Sequence, residues 1–382
     1  MPERPPLPYG RQWLDEDDVE AVTRVLRGDW LTTGPLVEEL ERAIAARGGA
    51  RHATAVSSGT AALHTAYFAA GLEEGDEVVT SPLTFVSTAS AALHLGAGVR
   101  FADVDPRTGN VDPQAMEEAI GPATRLLVSV DYAGHPADYG SLRALGDRRG
   151  IRIVADAAHS FGAAYRGDPV GALAHATTVS FHPVKPITTG EGGAVLTDDD
   201  EWRSRAAGFR NHGIVRDQSR HRGTGGAWYH EVQALGLNYR LPDILCALGL
   251  SQLGKLDRFL ARRREIAHRY TRALGDLSGI ELPCVLEGVS PGWHLYVIRV
   301  KDAARRESLF DFLRRKGLGV QLHFIPVHLH PLFQDLGYRA GSCPHAEEFA
   351  SRAISIPIFP RMRDDDVDRV VDTLLQGAKE LL

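Results

Sequence analysis

"HATAVSSGTAALHTAYFAAG" (residues 52–71) holds a complete strand, turn and helix. An apolar run of strand length ends on Ser57, Ser58 and Gly59, and a helical pattern follows at once. A parallel strand buried between layers of helices reads as an unbroken apolar run, because neither face meets water. The pattern recurs along the chain. "DEVVTS" leads into "TFVSTASAALHLG", and "VRFADVD", "TRLLVSVD" and "IRIVADAA" follow. This alternation predicts an α/β protein built on a mainly parallel sheet. "ATTVSF" and "GGAVLTDD" read as two further strands on either side of the loop in "SFHPVKPITTGEGG" (180–193).

The texture changes near residue 245. One long amphipathic helix is expected over roughly 246–275, followed by "HLYVIRV", the helix "RESLFDFLRRKG", "VQLHF" and a last helix, "DDDVDRVVDTLLQGAKELL". The division predicted is a large domain over residues 1–245 and a connecting helix with a small α+β domain over 246–382. The N-terminal segment is expected to pack on the small domain. "LDEDDVEAVTRVLRGDWL" is another helix, and the acidic run from Asp15 to Asp18 suits the positive end of its macrodipole. Arg262, Arg263 and Arg264 fall on the long helix and read as a solvated face.

Composition narrows the function. A chain of 382 residues can bury one large core and a smaller one. A net charge of −6 with no long basic run argues against a nucleic-acid surface. No apolar stretch is long enough for a membrane span, and "MPERPPLPYGRQW" lacks a signal core, so a cytoplasmic protein with no membrane partner is expected. Three distant cysteines, Cys246, Cys284 and Cys343, suit a reducing compartment and offer no structural zinc motif.

Ligands of open α/β sheets bind at the carboxyl ends of the strands. Asp156 ends "IRIVAD" there, and Lys185 follows "ATTVSF" at the same edge. Ser58, Gly59 and Thr60 open a helix, where hydroxyls and free N–H groups make an anion site. Taken singly, each has a plain reading: a cap, a strand-end acid, a solvated lysine. Together they match pyridoxal 5'-phosphate, which needs a lysine for a Schiff base, a carboxylate at its pyridine nitrogen and a phosphate cradle. Burial beside a cationic ring would lower the lysine pKa and free the amine. Pro186 biases Lys185 toward an extended turn, and Pro183 stiffens it. Gly190, Gly192 and Gly193 are expected to let the backbone approach the ligand. Phe85, after "DEVVTS", offers a stacking platform for the ring.

"SSGTAALHTAYFAAG", "SPLTFVSTA", "VADAAHSFGA", "SFHPVKPITTGEGG" and "GLNYRLPDILCALGLSQL" resemble the DegT/DnrJ/EryC1/StrS family of sugar aminotransferases. The resemblance runs from "WLTTGP" to "SIPIFPRM", nearly the whole chain. It implies an aspartate aminotransferase-like, fold-type I pyridoxal-phosphate transferase that works as a homodimer with shared active sites. Carried over by position, Lys185 is the Schiff-base lysine, Asp156 the partner of the pyridine nitrogen and Phe85 the stacking aromatic. Gly59, Thr60 and Ser180 match phosphate contacts, and Asn238 matches an asparagine that reaches the neighbouring subunit's phosphate. His159 stands near the ring's phenolic oxygen, where many members have glutamine.

"DWLTTGP", "FADVDPRTGN", "YAGHP", "RNHGIVRD" and "FIPVHLHPLF" look closest to the PseC-type branch, UDP-4-amino-4,6-dideoxy-N-acetyl-β-L-altrosamine transaminases of pseudaminic acid biosynthesis. That branch implies histidine at position 131. Asp131 instead would set an anion near the cofactor or sugar pocket. Thr33, His323, His328 and His330 are the substrate-side candidates. The three histidines lack a helical H-x-x-x-H spacing, so no metal is expected. Some dehydratase relatives replace the Schiff-base lysine with histidine. The lysine at 185 favours transamination.

The reaction expected is transfer of an amino group from L-glutamate to C4 of a UDP-4-keto-6-deoxy-hexose. The alternatives are another keto sugar, cyclitol or nucleoside-antibiotic intermediate, aminated at C3 or C4. A non-catalytic, cofactor-bound sensor or scaffold is the alternative of another kind. A dinucleotide-binding oxidoreductase fits poorly, because no G-x-G-x-x-G follows the first strand.

Overall fold

The computed structural model describes residues 5–382. Seven strands form the central sheet: β1 (His52–Val56), β2 (Glu77–Thr80), β3 (Gly98–Phe101), β4 (Thr124–Val130), β5 (Arg152–Asp156), β6 (Ala176–Ser180) and β7 (Gly193–Thr197). Their spatial order is β1-β7-β6-β5-β4-β2-β3. All run parallel except β7, which is antiparallel to both neighbours, β1 and β6. A parallel return needs a crossover, usually a helix. The segment between β6 and β7 contains no helix, so β7 turns straight back along β6. The reversal brings the start of β7 to the edge where the other strands end.

Helix α1 (Glu16–Leu26) precedes the sheet. Helix α2 (Gly59–Ala69) follows β1 and is alanine-rich because it lies almost wholly buried on the sheet. Ser58 caps it, its Oγ accepting the Ala61 N–H at 3.0 Å. Helix α3 (Ser87–Leu93) follows β2, and the buried Tyr67 hydroxyl of α2 donates to the Thr88 carbonyl at 2.8 Å.

Two helices, α4 (Asp243–Leu253) and α5 (Leu256–Leu274), stand where one was expected over 246–275. The break at Gly254 and Lys255 has a partner across the fold. The Lys255 ammonium lies 2.9 Å from Asp18 on α1 and also pairs with Asp15. Asp18 is therefore more than a helix-end charge. It is buried, and it accepts from Ser251 Oγ at 2.6 Å and Gln252 Nε2 at 2.8 Å.

Beyond α5, β8 (Ile280–Glu281), β9 (Tyr296–Val300) and β10 (Ala353–Ile356) form a small antiparallel sheet in that order. Helices α6 (Ala303–Arg315) and α7 (Asp364–Leu381) pack into the same core. Leu7 joins this core from the N-terminal segment, exchanging backbone bonds with Gly317 and Gly319. "VQLHF" makes only one bridge, Gln321 to Ser355, since the backbone just before it bonds Leu7 instead. Arg263 of α5 also departs from expectation. It is buried at 1% exposure, not solvated, while Arg262 pairs with Glu265 and Asp364 at the surface. Among the described residues, no helix is long and apolar enough to cross a membrane.

Asp18→Ala strips an acceptor from Lys255, Ser251 and Gln252 where water cannot replace it. The variant should lose about 3 kcal/mol of stability, read as a lower urea midpoint. An unchanged midpoint would show that Asp18 contributes only surface charge.

Candidate active site

A cavity of about 430 Å³ opens at the carboxyl edge of the central sheet. Lys185 enters it from a tight turn in which its own N–H bonds the His182 carbonyl at 2.9 Å. Pro183 occupies the second position of that turn, where its fixed φ suits the bend. Burial pushes the Lys185 amine down to about 8, while the Asp156 carboxylate pulls it back up. Asp156 ends β5, and its Oδ2 accepts the Thr88 hydroxyl at 2.7 Å and its Oδ1 the Ala158 N–H at 3.2 Å. Thr84 in turn bonds Thr88 at 2.7 Å. Burial raises the Asp156 pKa, opposed by these two donors and by the Lys185 ammonium.

Ser58, Gly59, Thr60 and Ser180 form a second wall of the cavity. The first N–H groups of α2 have no intrahelical acceptor and carry the positive end of its dipole, which suits a phosphate. A Cβ on Gly59 would lie 2.8 Å from Ser180 Cβ. Only glycine lets the helix start come so close to β6. The later glycines serve a different neighbour from the one expected. A Cβ on Gly193 would lie 2.6 Å from the Ser58 carbonyl, and one on Gly192 2.3 Å from Thr189 Oγ1. Their close approach is to the chain itself.

The opposite wall is aromatic and imidazole-rich. Phe85 is 56% exposed into the opening and meets Phe324 edge-on at 6.1 Å. His159 lies 4.3 Å, ring to ring, from His294. Burial and the nearby Lys185 cation push both imidazoles, and His323 to about 4, toward the neutral form. The Nδ1 atoms of His159 and His294 are buried without a partner. An anion cradle, a buried carboxylate, a lysine of lowered pKa and two orphaned imidazole nitrogens together fit a phosphorylated pyridine aldehyde.

The sequence candidates divide here. Lys185, Asp156, Gly59, Thr60, Phe85, His159, Ser180 and His323 all line the cavity. His323 Nδ1 lies 2.9 Å from Ser355 Oγ. His328 does not line it. That side chain is fully buried, and its Nε2 lies 2.8 Å from Glu347 Oε1. His330 begins the short helix Pro331–Asp335 and also stays outside. Thr33 is exposed, its hydroxyl donating to the Thr32 carbonyl at 2.7 Å. Asn238 bridges Asn211 at the base of an arm, residues 211–238, in which Ile214–Val215 pairs with Glu231–Val232, and it lies outside its own chain's cavity.

Asp131 corrects the expectation of an extra anion in the pocket. It faces the core, accepting from Ser160 Oγ at 2.5 Å, Tyr139 Oη at 2.8 Å and the Ala137 N–H at 2.9 Å. Burial pushes its pKa up to about 6 against those donors. Sequence reasoning missed His294, Tyr9, Thr88 and Glu191. Two of these had a local signal: Thr88 stands one helical turn beyond Phe85, and Glu191 lies in the Lys185 loop between Gly190 and Gly192. His294 and Tyr9 reach the cavity from distant parts of the chain.

The chain is 38% identical over 378 residues to the spore coat polysaccharide biosynthesis protein SpsC of Bacillus subtilis, covering 98% of this chain and 97% of that protein. A solved structure of Helicobacter pylori PseC, an aminotransferase involved in the biosynthesis of pseudoaminic acid, superposes with a TM-score of 0.92. Its identity is 31%, covering 98% of this chain and all of that one. Spr1654 of Streptococcus pneumoniae, in its PLP form, gives a TM-score of 0.92 at 28% identity, covering 99% and 100%. The DegT/DnrJ/EryC1/StrS aminotransferase family model matches residues 12–375. The chain belongs to this family of sugar aminotransferases and is a pyridoxal-phosphate enzyme of fold type I.

Proposed function

We propose that the enzyme moves an amino group from L-glutamate to C4 of a UDP-linked 4-keto-6-deoxy hexose. The observation that carries an amine-transfer site is the convergence of Lys185 and Asp156 on one cavity beside the Ser58–Thr60 cradle. The choice of sugar rests on the PseC-type motifs in the sequence and on the likeness to PseC. It would act in the cytoplasm, where its three free cysteines stay reduced.

Bound pyridoxal phosphate supplies a carbonyl that takes up amines and a cationic ring that draws electrons from the neighbouring carbon. Gly59, Thr60 and Ser180 would hold its phosphate. Asp156 would keep a proton on its ring nitrogen, held in place by Thr88 and Ala158. Phe85 would cover one ring face, and the orphaned His159 imidazole would meet its polar edge. The Lys185 amine, neutral for a large fraction near pH 8, can take a proton from the donor's amino-bearing carbon and return it elsewhere. His323 and His294 offer neutral imidazoles to sugar hydroxyls.

Asn238 supports a shared site between two copies. Its arm displays Trp228 at 80% and Leu235 at 92% exposure, apolar side chains that a second subunit would cover.

UDP- and dTDP-linked 3-keto and 4-keto sugars, each incubated with glutamate, test the function, with the aminated carbon assigned by NMR. The account expects a 4-amino product from the UDP-4-keto sugar and none from Lys185→Ala. Amination at C3, or of dTDP sugars alone, would overturn the substrate; no transfer from any amino acid would favour a sensor. Mixing Lys185→Ala with Asn238→Asp should restore up to roughly a quarter of wild-type activity through hybrid dimers, and no recovery would argue against sharing.

A further inference from the structure

Arg263 is a buried guanidinium with no acidic partner. It makes no ion pair among the described residues, and its Nε is buried without an acceptor. Leaving water uncompensated is costly, and an apolar side chain of similar volume would avoid that cost. What the guanidinium meets instead is a set of four backbone carbonyls. Nη1 donates to Trp293 at 3.1 Å, His294 at 3.2 Å and Ile358 at 2.9 Å, and Nη2 reaches Val184 at 3.4 Å.

Three of the carbonyls belong to segments that border the cavity, and the fourth, Ile358, is bonded to one that does. Val184 directly precedes Lys185. His294 lines the cavity itself, and Trp293 before it is held at φ +50, a conformation that a tryptophan keeps only under outside restraint. The Ile358 N–H bonds the Tyr9 carbonyl at 3.0 Å, and the Tyr9 ring lies 5.1 Å from His323 across the cavity wall. One side chain on α5 thus joins the lysine loop to the wall carrying His294, Tyr9 and His323.

We propose that Arg263 is a positioning residue whose four carbonyl contacts clamp the Lys185 loop against the His294–Tyr9 wall and so keep the Lys185 amine desolvated. The proposal rests on Lys185 being the reactive amine. The groups facing that amine are Asp156 from β5 and the imidazoles of His159, His294 and His323, and Arg263 contributes a cation behind His294. Opening the clamp admits water and raises the Lys185 pKa toward that of a free lysine. A lysine at 263 keeps the charge but lacks the planar fork that reaches four carbonyls.

The test is amine labelling of the full-length protein, stripped of cofactor, with Lys185 followed by peptide mass spectrometry as pH rises. Arg263→Lys and Arg263→Met are compared with wild type, and circular dichroism reports folding. In Arg263→Lys the labelling curve should move up by about half a pH unit or more, a roughly threefold slower reaction at fixed pH below the midpoint. Arg263→Met should move it further, with the lysine variant as partial rescue. A folded Arg263→Lys with the wild-type curve overturns the proposal, whether or not Arg263→Met folds. If wild-type Lys185 labels like an ordinary surface lysine, it is the assignment of Lys185 that fails instead.

Discussion

The Asp156 carboxylate and the Lys185 amine share one desolvated cavity, and much of the surrounding structure keeps them there. Burial alone would neutralise both groups. Their mutual attraction and the Thr88 and Ala158 donors oppose that, so the carboxylate keeps partners for its charge and the amine falls only to about 8. An exposed lysine would stay protonated and inert as a base. A fully isolated one would lose the partner that sets its charge. The site works between these limits.

Chain reversal at β7 is what brings the pair together. Because β6 and β7 are joined without a helix, the Lys185 loop stays folded over the sheet edge where β5 presents Asp156. Gly59 lets the start of α2 approach Ser180, so the anion cradle joins the end of β1 to the end of β6 at the same edge, across β7. The remaining wall comes from the C-terminal part of the chain, through His294, His323 and Phe324.

The strands of the central sheet were legible because each is a local apolar run with turn residues after it. Lys185, Asp156 and Ser58 to Thr60 were legible for the same reason: each sits just past a readable strand. What escaped the sequence depends on partners that no local pattern of the chain announces. Arg263 looked solvated within its helix, and only residues 184, 293, 294 and 358 reveal why it is buried. Asp18 looked like a helix-end charge, but Lys255, at the break in the long helix, pairs with it. Asp131 seemed to enter the pocket, yet its donors Ser160, Tyr139 and Ala137 hold it in the core. His328 read like His323, but Glu347 claims it away from the cavity.

The central claim is that burial lowers the pKa of the Lys185 amine and the Asp156 carboxylate partly restores it. The most direct measurement is the midpoint of Lys185 labelling against pH in the cofactor-free protein, alone and with Asp156→Asn. The account predicts a wild-type midpoint near 8 and a lower one in Asp156→Asn, because removing the carboxylate withdraws the attraction that favours the ammonium. A midpoint near that of a free lysine, or one indifferent to Asp156, would contradict it.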